Sequence, residues 1–127
     1  MLNRTRIARE AGLAALRLRK RMGVAENDAI SPIDSAENLG FEVRFIDIPS
    51  MEGILVTGLQ NSILLSSLRP AVRRNFTCAH EIGHYQMGHG QQFDELMEDR
   101  RASRSVDPLE FAADCFAAYY LMPKCAI

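Results

Sequence analysis

The sequence predicts an α+β fold in which a small, mostly antiparallel, three-stranded sheet packs on helices. Helix signals occur in four segments, and three short apolar runs lie between the second and the third of them. The chain has 127 residues, enough for one domain with one core, and its 47% of apolar residues is ordinary for a globular protein. No apolar run approaches the length of a membrane span.

The four helices are predicted from apolar stripes, from residues that favour a helix start and from glycine or proline at the end. Their ranges are residues 4–22, 31–40, 70–87 and 108–121. In the third helix, Pro70 suits the first turn, and Gly88 and Gly90 end the helix. In the fourth helix, Asp107 suits the N-cap position and Pro108 the first helical position.

Three strands are predicted from alternating or continuous apolar runs. They lie at residues 41–48, 53–59 and 62–66, and the last two form a hairpin around Gln60 and Asn61. Residues 88–106 are polar and rich in charge, and this segment is expected to contain one helical turn near residues 93–98.

The most informative stretch is His80-Glu81-Ile82-Gly83-His84 in the third helix, which has the form H-E-x-x-H. Residues four apart on a helix lie about 40° apart around the axis, so His80 and His84 can direct two imidazole nitrogens at one metal ion. Glu81 lies about 60° from His84 and can reach a water beside the metal without binding the metal. The pattern predicts two zinc ligands and one general base, against the plainer alternative of solvent-facing side chains.

A third zinc ligand is expected because catalytic zinc usually has three protein ligands. The best candidate is Glu110, at the third position of the last helix. Asp114 lies one turn later on the same helix face, where it can accept a hydrogen bond from a ligating histidine and fix its tautomer. The ordinary alternatives are a helix-start glutamate for Glu110 and a surface charge for Asp114.

Three blocks of the chain resemble the ImmA/IrrE family of metallopeptidases, in the gluzincin-like branch of zinc proteases. These blocks lie within residues 31–43, 73–84 and 110–123. We expect one zinc-peptidase-like domain over residues 1–127, with a basic helix in residues 1–25 and the family-like catalytic region in residues 28–123. Because the chain ends four residues after Pro123, either a minimal catalytic domain or the loss of a C-terminal part is expected.

The resemblance implies a zincin-like minimal domain in which His80, His84 and Glu110 bind zinc and Glu81 is the catalytic base. It implies that Glu81 takes a proton from the attacking water and returns it to the leaving amine. It also implies that a sheet edge above the motif helix holds the substrate as an added strand, and we assign that edge to Gly53–Leu59.

A regulatory zinc endopeptidase that cleaves a specific protein, such as a helix-turn-helix transcriptional repressor, is the function that the resemblance implies. Four residues are candidates for contacts to the developing oxyanion or the substrate, each with a loop or core role as the alternative: Tyr85, His89, Tyr119 and Tyr120. Three other functions stay open. They are a non-cleaving zinc-dependent interaction module, a toxin-like component of a paired gene system, and a structural domain without metal.

Charge and cysteine usage indicate the compartment and the partners. Residues 1–25 carry seven Arg or Lys, and residues 26–68 carry seven Asp or Glu. The basic segment lacks aromatic residues and a binding motif, so we expect no direct contact with nucleic acid and favour packing on the acidic neighbour. Cys78, Cys115 and Cys125 lack C-x-x-C spacing, and no secretory signal is evident, which predicts free thiols in a cytoplasmic protein.

Overall fold

A computed structural model of the protein describes residues 3–95 and 107–123. Within these ranges the chain forms helices α1 (Arg4–Arg21), α2 (Pro32–Asn38), α3 (Ala71–Gln86) and α4 (Pro108–Leu121). The strands are β1 (Glu42–Ile46), β2 (Met51–Val56), β3 (Ser62–Ser66) and β4 (Gln92–Glu95). The α+β class is confirmed, and each of the four helices lies where the sequence predicts it.

The strands form one mixed sheet in the order β1-β3-β2-β4. The β1–β3 pair is parallel, whereas β2 pairs antiparallel with both β3 and β4. The sheet therefore has one strand more than the three predicted. The additional strand, β4, lies where a helical turn was expected, because its pairing with β2 is a tertiary contact that the polar local sequence does not reveal. Residues 96–98 of that expected turn lie outside the described residues.

The predicted substrate edge at Gly53–Leu59 is wrong. Strand β2 ends at Val56 and is paired on both sides, with Gly53 opposite Leu65 of β3 and also opposite Asp94 of β4. A strand with both neighbours in place has no free row of N–H and C=O groups for a peptide to join. Within the described residues, the edges of the sheet are β1 and β4.

The helix starts follow the local rules that the sequence suggested. The Asp107 carboxylate accepts a hydrogen bond from the backbone N–H of Leu109 at 2.9 Å, and Pro108 occupies the first turn of α4. This arrangement satisfies one of the free N–H groups at the helix start and sets Glu110 at the third helical position. This cap fixes the start of α4 close to Glu110.

Helices α3 and α4 pack closely because a glycine lies at their contact. A Cβ atom built on Gly83 would approach the ring of Phe116 to 2.9 Å, and Phe116 is fully buried. Helix α1 also packs on α4, where Gly12 lies under the ring of Tyr119. The basic helix α1 therefore packs mainly on α4. Among the helices of the described residues, none is long and apolar enough to cross a membrane.

Candidate metal centre

The two histidines of the H-E-x-x-H motif lie side by side on the buried face of α3. His80 is 3% exposed and His84 is fully buried, and their Nε2 atoms are 3.1 Å apart. The rings meet edge to face, with centroids 4.6 Å apart. Both imidazoles therefore direct the same nitrogen at one point, as the four-residue spacing predicted.

Glu110 brings a carboxylate to the same point from α4. Its Oε2 lies 2.8 Å from His80 Nε2, and its Oε1 lies 3.5 Å from His84 Nε2. The ligand atoms of the three residues all lie within 4.8 Å of one another. Ligand atoms 2.0–2.1 Å from a tetrahedral zinc lie roughly 3.3 Å from each other, so this donor set suits a small divalent cation.

The second nitrogen of each motif histidine has its own partner. His80 Nδ1 lies 2.8 Å from Asp114 Oδ1, an ion-pair contact, and the hydrogen bond that the sequence suggested for this carboxylate stays a prediction. His84 Nδ1 lies 2.8 Å from His89 Nδ1. Metal-ligating histidines are usually held in this way, with the distal N–H donated to an acceptor that fixes the tautomer and the ring orientation.

Glu81 lies on the same turn of α3 and is fully buried. Neither of its carboxylate oxygens has a hydrogen-bond partner within residues 3–95 and 107–123. A buried carboxylate in this state is costly, which favours a site in which a water, a cation or a substrate group completes its contacts. The observation agrees with a metal-binding cleft at the three ligand atoms.

Strand β2 lies against Glu81 at Gly53, a residue that the sequence analysis did not connect with the site. A Cβ atom on Gly53 would lie 2.8 Å from Thr77 Cγ2 and 3.5 Å from Glu81 Oε2. Only a residue without a side chain lets the strand pass this close to the helix. The available signal was an isolated glycine inside an apolar run, which often marks a close backbone approach.

The three tyrosines proposed for oxyanion or substrate contacts have other neighbours. Tyr85 packs edge to face on Phe41, and Tyr119 covers Gly12 of α1. Tyr120 is fully buried and its hydroxyl donates to Ser35 Oγ at 2.6 Å. These contacts give the tyrosines packing roles and lend no support to a part in the chemistry.

His89, the fourth such candidate, lies beside His84, one of the candidate ligands. Burial lowers the pKa of its imidazole below the ordinary value, and the neighbouring His84 lowers it further. Both effects favour the neutral ring, which has one nitrogen that accepts and one that donates.

The cysteines in the described residues are free thiols. Burial raises the pKa of Cys78 to about 12, with a further contribution from Glu37. Burial also raises the pKa of Cys115, and the charge of Asp114 adds to the effect. Neither thiol is therefore a thiolate near neutral pH, and neither is a candidate ligand or nucleophile.

A comparison with protein-family models matches residues 36–127 to the peptidase family Peptidase_M78, described as an IrrE N-terminal-like domain. The match includes the motif helix α3 and the ligand helix α4. A search of curated proteins gave no match. The family match supports a peptidase, and the cluster of two histidines and a glutamate could hold a metal ion.

Proposed function

The chain belongs to the IrrE N-terminal-like family of peptidases, and from that premise we propose that it is a zinc-dependent endopeptidase. The observation that carries the proposal is the convergence of His80 Nε2, His84 Nε2 and the Glu110 carboxylate on one point. Glu81, the residue after His80 on α3, is buried, and its carboxylate has no hydrogen-bond partner among the described residues. Two neutral imidazoles and one carboxylate are the donor set of many catalytic zinc sites.

His80, His84 and Glu110 are proposed to hold the zinc ion, with Asp114 accepting the Nδ1 proton of His80. When bound, zinc supplies Lewis acidity, which lowers the pKa of a water and stabilises negative charge on the carbonyl oxygen. The Glu110 carboxylate offsets part of the charge of the cation. Three ligands from the protein leave a coordination position for water or substrate.

Glu81 is proposed as the general base. Glu81 follows His80 on α3 and is not one of the three proposed ligands, so its carboxylate is proposed to accept a proton from the attacking water and return that proton to the leaving amine. Burial under β2 strengthens its electrostatic effect, because few solvent molecules screen a charge in this position. The absence of a side chain at Gly53 lets β2 pass close to Thr77, on the same helix as Glu81.

The substrate is proposed to be one specific protein, such as a helix-turn-helix transcriptional repressor, which makes the chain a regulatory protease. This part of the proposal is supported by the resemblance of residues 31–43, 73–84 and 110–123 to the ImmA/IrrE family. We place the reaction in the cytoplasm, since the described cysteines are free thiols and a reducing compartment keeps them so.

The substitution Glu81→Gln tests the peptidase proposal. It keeps the size of the side chain and removes its basicity, so we expect one zinc per chain, as in the wild type, and a loss of cleavage of about 10²–10⁴-fold. The measurement combines elemental analysis with mass spectrometry of a peptide library digested by each protein. Glu26→Gln removes the same charge at an exposed position after α1 and serves as the control.

Cleavage by the Glu81→Gln protein at the wild-type rate would remove Glu81 from the mechanism. A wild-type protein that binds zinc but cleaves neither the library nor a co-expressed repressor would instead favour the non-cleaving interaction module.

A further inference from the structure

Helix α3 ends in a turn that returns the chain to the metal centre. Met87 follows the helix, Gly88 adopts a φ of +74°, and the N–H of Gly88 donates to the Tyr85 carbonyl at 3.1 Å. The N–H of His89 donates to the carbonyl of His84 at 2.9 Å. These two hydrogen bonds are the pair that defines the Schellman motif at a helix C-terminus.

The Schellman motif places the residue after the glycine against the residue five positions earlier, usually through an apolar contact. In this chain those two positions are His89 and His84, and their side chains meet through Nδ1 atoms 2.8 Å apart. The ring centroids are 5.1 Å apart. Backbone and side chain of His89 are therefore both bound to the same residue.

A hydrogen bond between two Nδ1 atoms requires one donor and one acceptor. A neutral imidazole that offers Nε2 to a metal keeps its proton on Nδ1. His84 is then the donor, and His89 accepts through Nδ1. The Nδ1–H bond and the Nε2 lone pair of one imidazole point in different directions, so His89 contacts one nitrogen of His84 and the Glu110 carboxylate the other.

We propose that His89 is a positioning residue for the metal ligand His84, and that Gly88 delivers His89 to it through the helix-ending turn. The inference rests on the proposed function, in which His84 binds zinc. His89 fixes the tautomer and the rotation of the His84 ring, as Asp114 does for His80. This role differs from the oxyanion contact that the sequence suggested for His89.

The end of α1 provides a matched control within the same molecule. Gly23 also has a φ of +74°, its N–H donates to Lys20, and the N–H of Val24 donates to Arg19, both at 3.0 Å. A Cβ atom at Gly23 or at Gly88 would meet no heavy atom within 4 Å. Alanine therefore imposes the same backbone strain at either glycine, but only Gly88 is linked to a metal ligand.

The first experiment compares His89→Leu with His89→Asn. Leucine removes the acceptor, whereas the asparagine Oδ1 can take the place of Nδ1 and accept from His84. Zinc affinity is measured by competition with a chelator, and the cobalt-substituted protein is examined by visible spectroscopy. We expect His89→Leu to weaken zinc binding by about 10–100-fold and to alter the cobalt spectrum, and His89→Asn to retain wild-type values within about threefold.

The second experiment compares Gly88→Ala with Gly23→Ala and covers the case in which His89→Leu fails to fold. We expect both alanine variants to lose similar thermal stability in the absence of metal, and only Gly88→Ala to weaken zinc binding. Wild-type zinc affinity for His89→Leu, equal weakening by leucine and asparagine, or equal affinities for the two glycine variants would overturn the proposal. A wild-type protein that binds no zinc would instead overturn the proposed function.

Discussion

The two histidines of the motif occupy similar positions on α3 but depend on different parts of the chain. His80 is held by α4, since its Nε2 lies 2.8 Å from Glu110 and its Nδ1 lies 2.8 Å from Asp114. The Nδ1 of His84 is held by His89, five residues later, through the turn that ends its own helix. One ligand therefore depends on long-range packing, whereas the orientation of the other is largely a local property.

In the proposed function, the metal site combines a local half, made of His84, His89 and the turn at Gly88, with an assembled half, in which Glu110 and Asp114 of α4 meet His80. The local half involves only residues of α3 and of the turn that ends it at Gly88. The assembled half requires α4 to approach α3 closely, which the contact of Gly83 with Phe116 permits. Substitutions can disturb each half separately, and zinc affinity reports on the result.

The largest effect is expected from Glu110→Gln, because Glu110 is the proposed ligand that comes from α4. The substitution keeps the shape of the side chain and removes the anionic donor. We expect a loss of zinc affinity greater than the 10–100-fold that an outer partner contributes, measured by isothermal titration. Folding without metal is expected to remain intact by circular dichroism. Zinc binding at wild-type affinity would mean that the assembled half is not part of the site.

A smaller effect is expected from Gly83→Ala, which tests the packing of α3 on α4. The added methyl group would lie 2.9 Å from the buried Phe116 ring, so the helices must separate, at a cost of about 1–3 kcal/mol in the free energy of unfolding. The separation moves Glu110 away from His80, and zinc binding should weaken as well.

The control for Gly83→Ala is Gly12→Ala at the contact of α1 with α4. There the methyl group would lie 3.0 Å from the Tyr119 ring, a similar overlap. This variant should lose stability in urea unfolding and keep its zinc affinity. Equal zinc affinities for the two variants would show that the α3–α4 contact does not govern the site.

Asp114→Asn compares the two outer partners directly. The substitution keeps an acceptor for His80 but removes its negative charge, and we expect zinc affinity to fall by about tenfold. His89→Asn should change affinity less, because His89 is a neutral acceptor from the start. If both asparagine variants bind zinc equally well, charge is not what distinguishes Asp114 from His89.

Much of the local half could be predicted from sequence, because its rules act over a few residues. The spacing of His80 and His84, the cap at Asp107 and the helix end at Gly88 follow from helical geometry and were all found. The same rules placed Glu110 and Asp114 on one helix face. The contact of His89 with His84 follows from the same turn, but the sequence analysis did not predict it. There, Gly88 was taken only as the residue that ends the helix.

Features that depend on tertiary pairing could not be predicted in the same way. Strand β4 obtains its hydrogen bonds from β2, and its own sequence carries no alternating pattern to indicate this. Strand β2 is internal because β4 pairs with it, so without β4 the sequence placed β2 at an edge of the sheet. Tyr85, Tyr119 and Tyr120 suit chemistry by residue type, and only the packing of Phe41, Gly12 and Ser35 shows where each one lies.

The smallest effect is expected in the hydrogen exchange of the His89 backbone amide when a chelator removes the metal. The amide of His89 donates to the His84 carbonyl within the helix-ending turn, and this bond does not involve the metal. We expect its hydrogen-exchange protection to change by less than about threefold between the zinc-bound and the metal-free protein, since exchange there requires the helix end to open. Amides of α4 near Glu110 should lose more protection, because the metal links that helix to α3. A large loss of protection at His89 would show that the turn depends on the metal and that neither half is preformed.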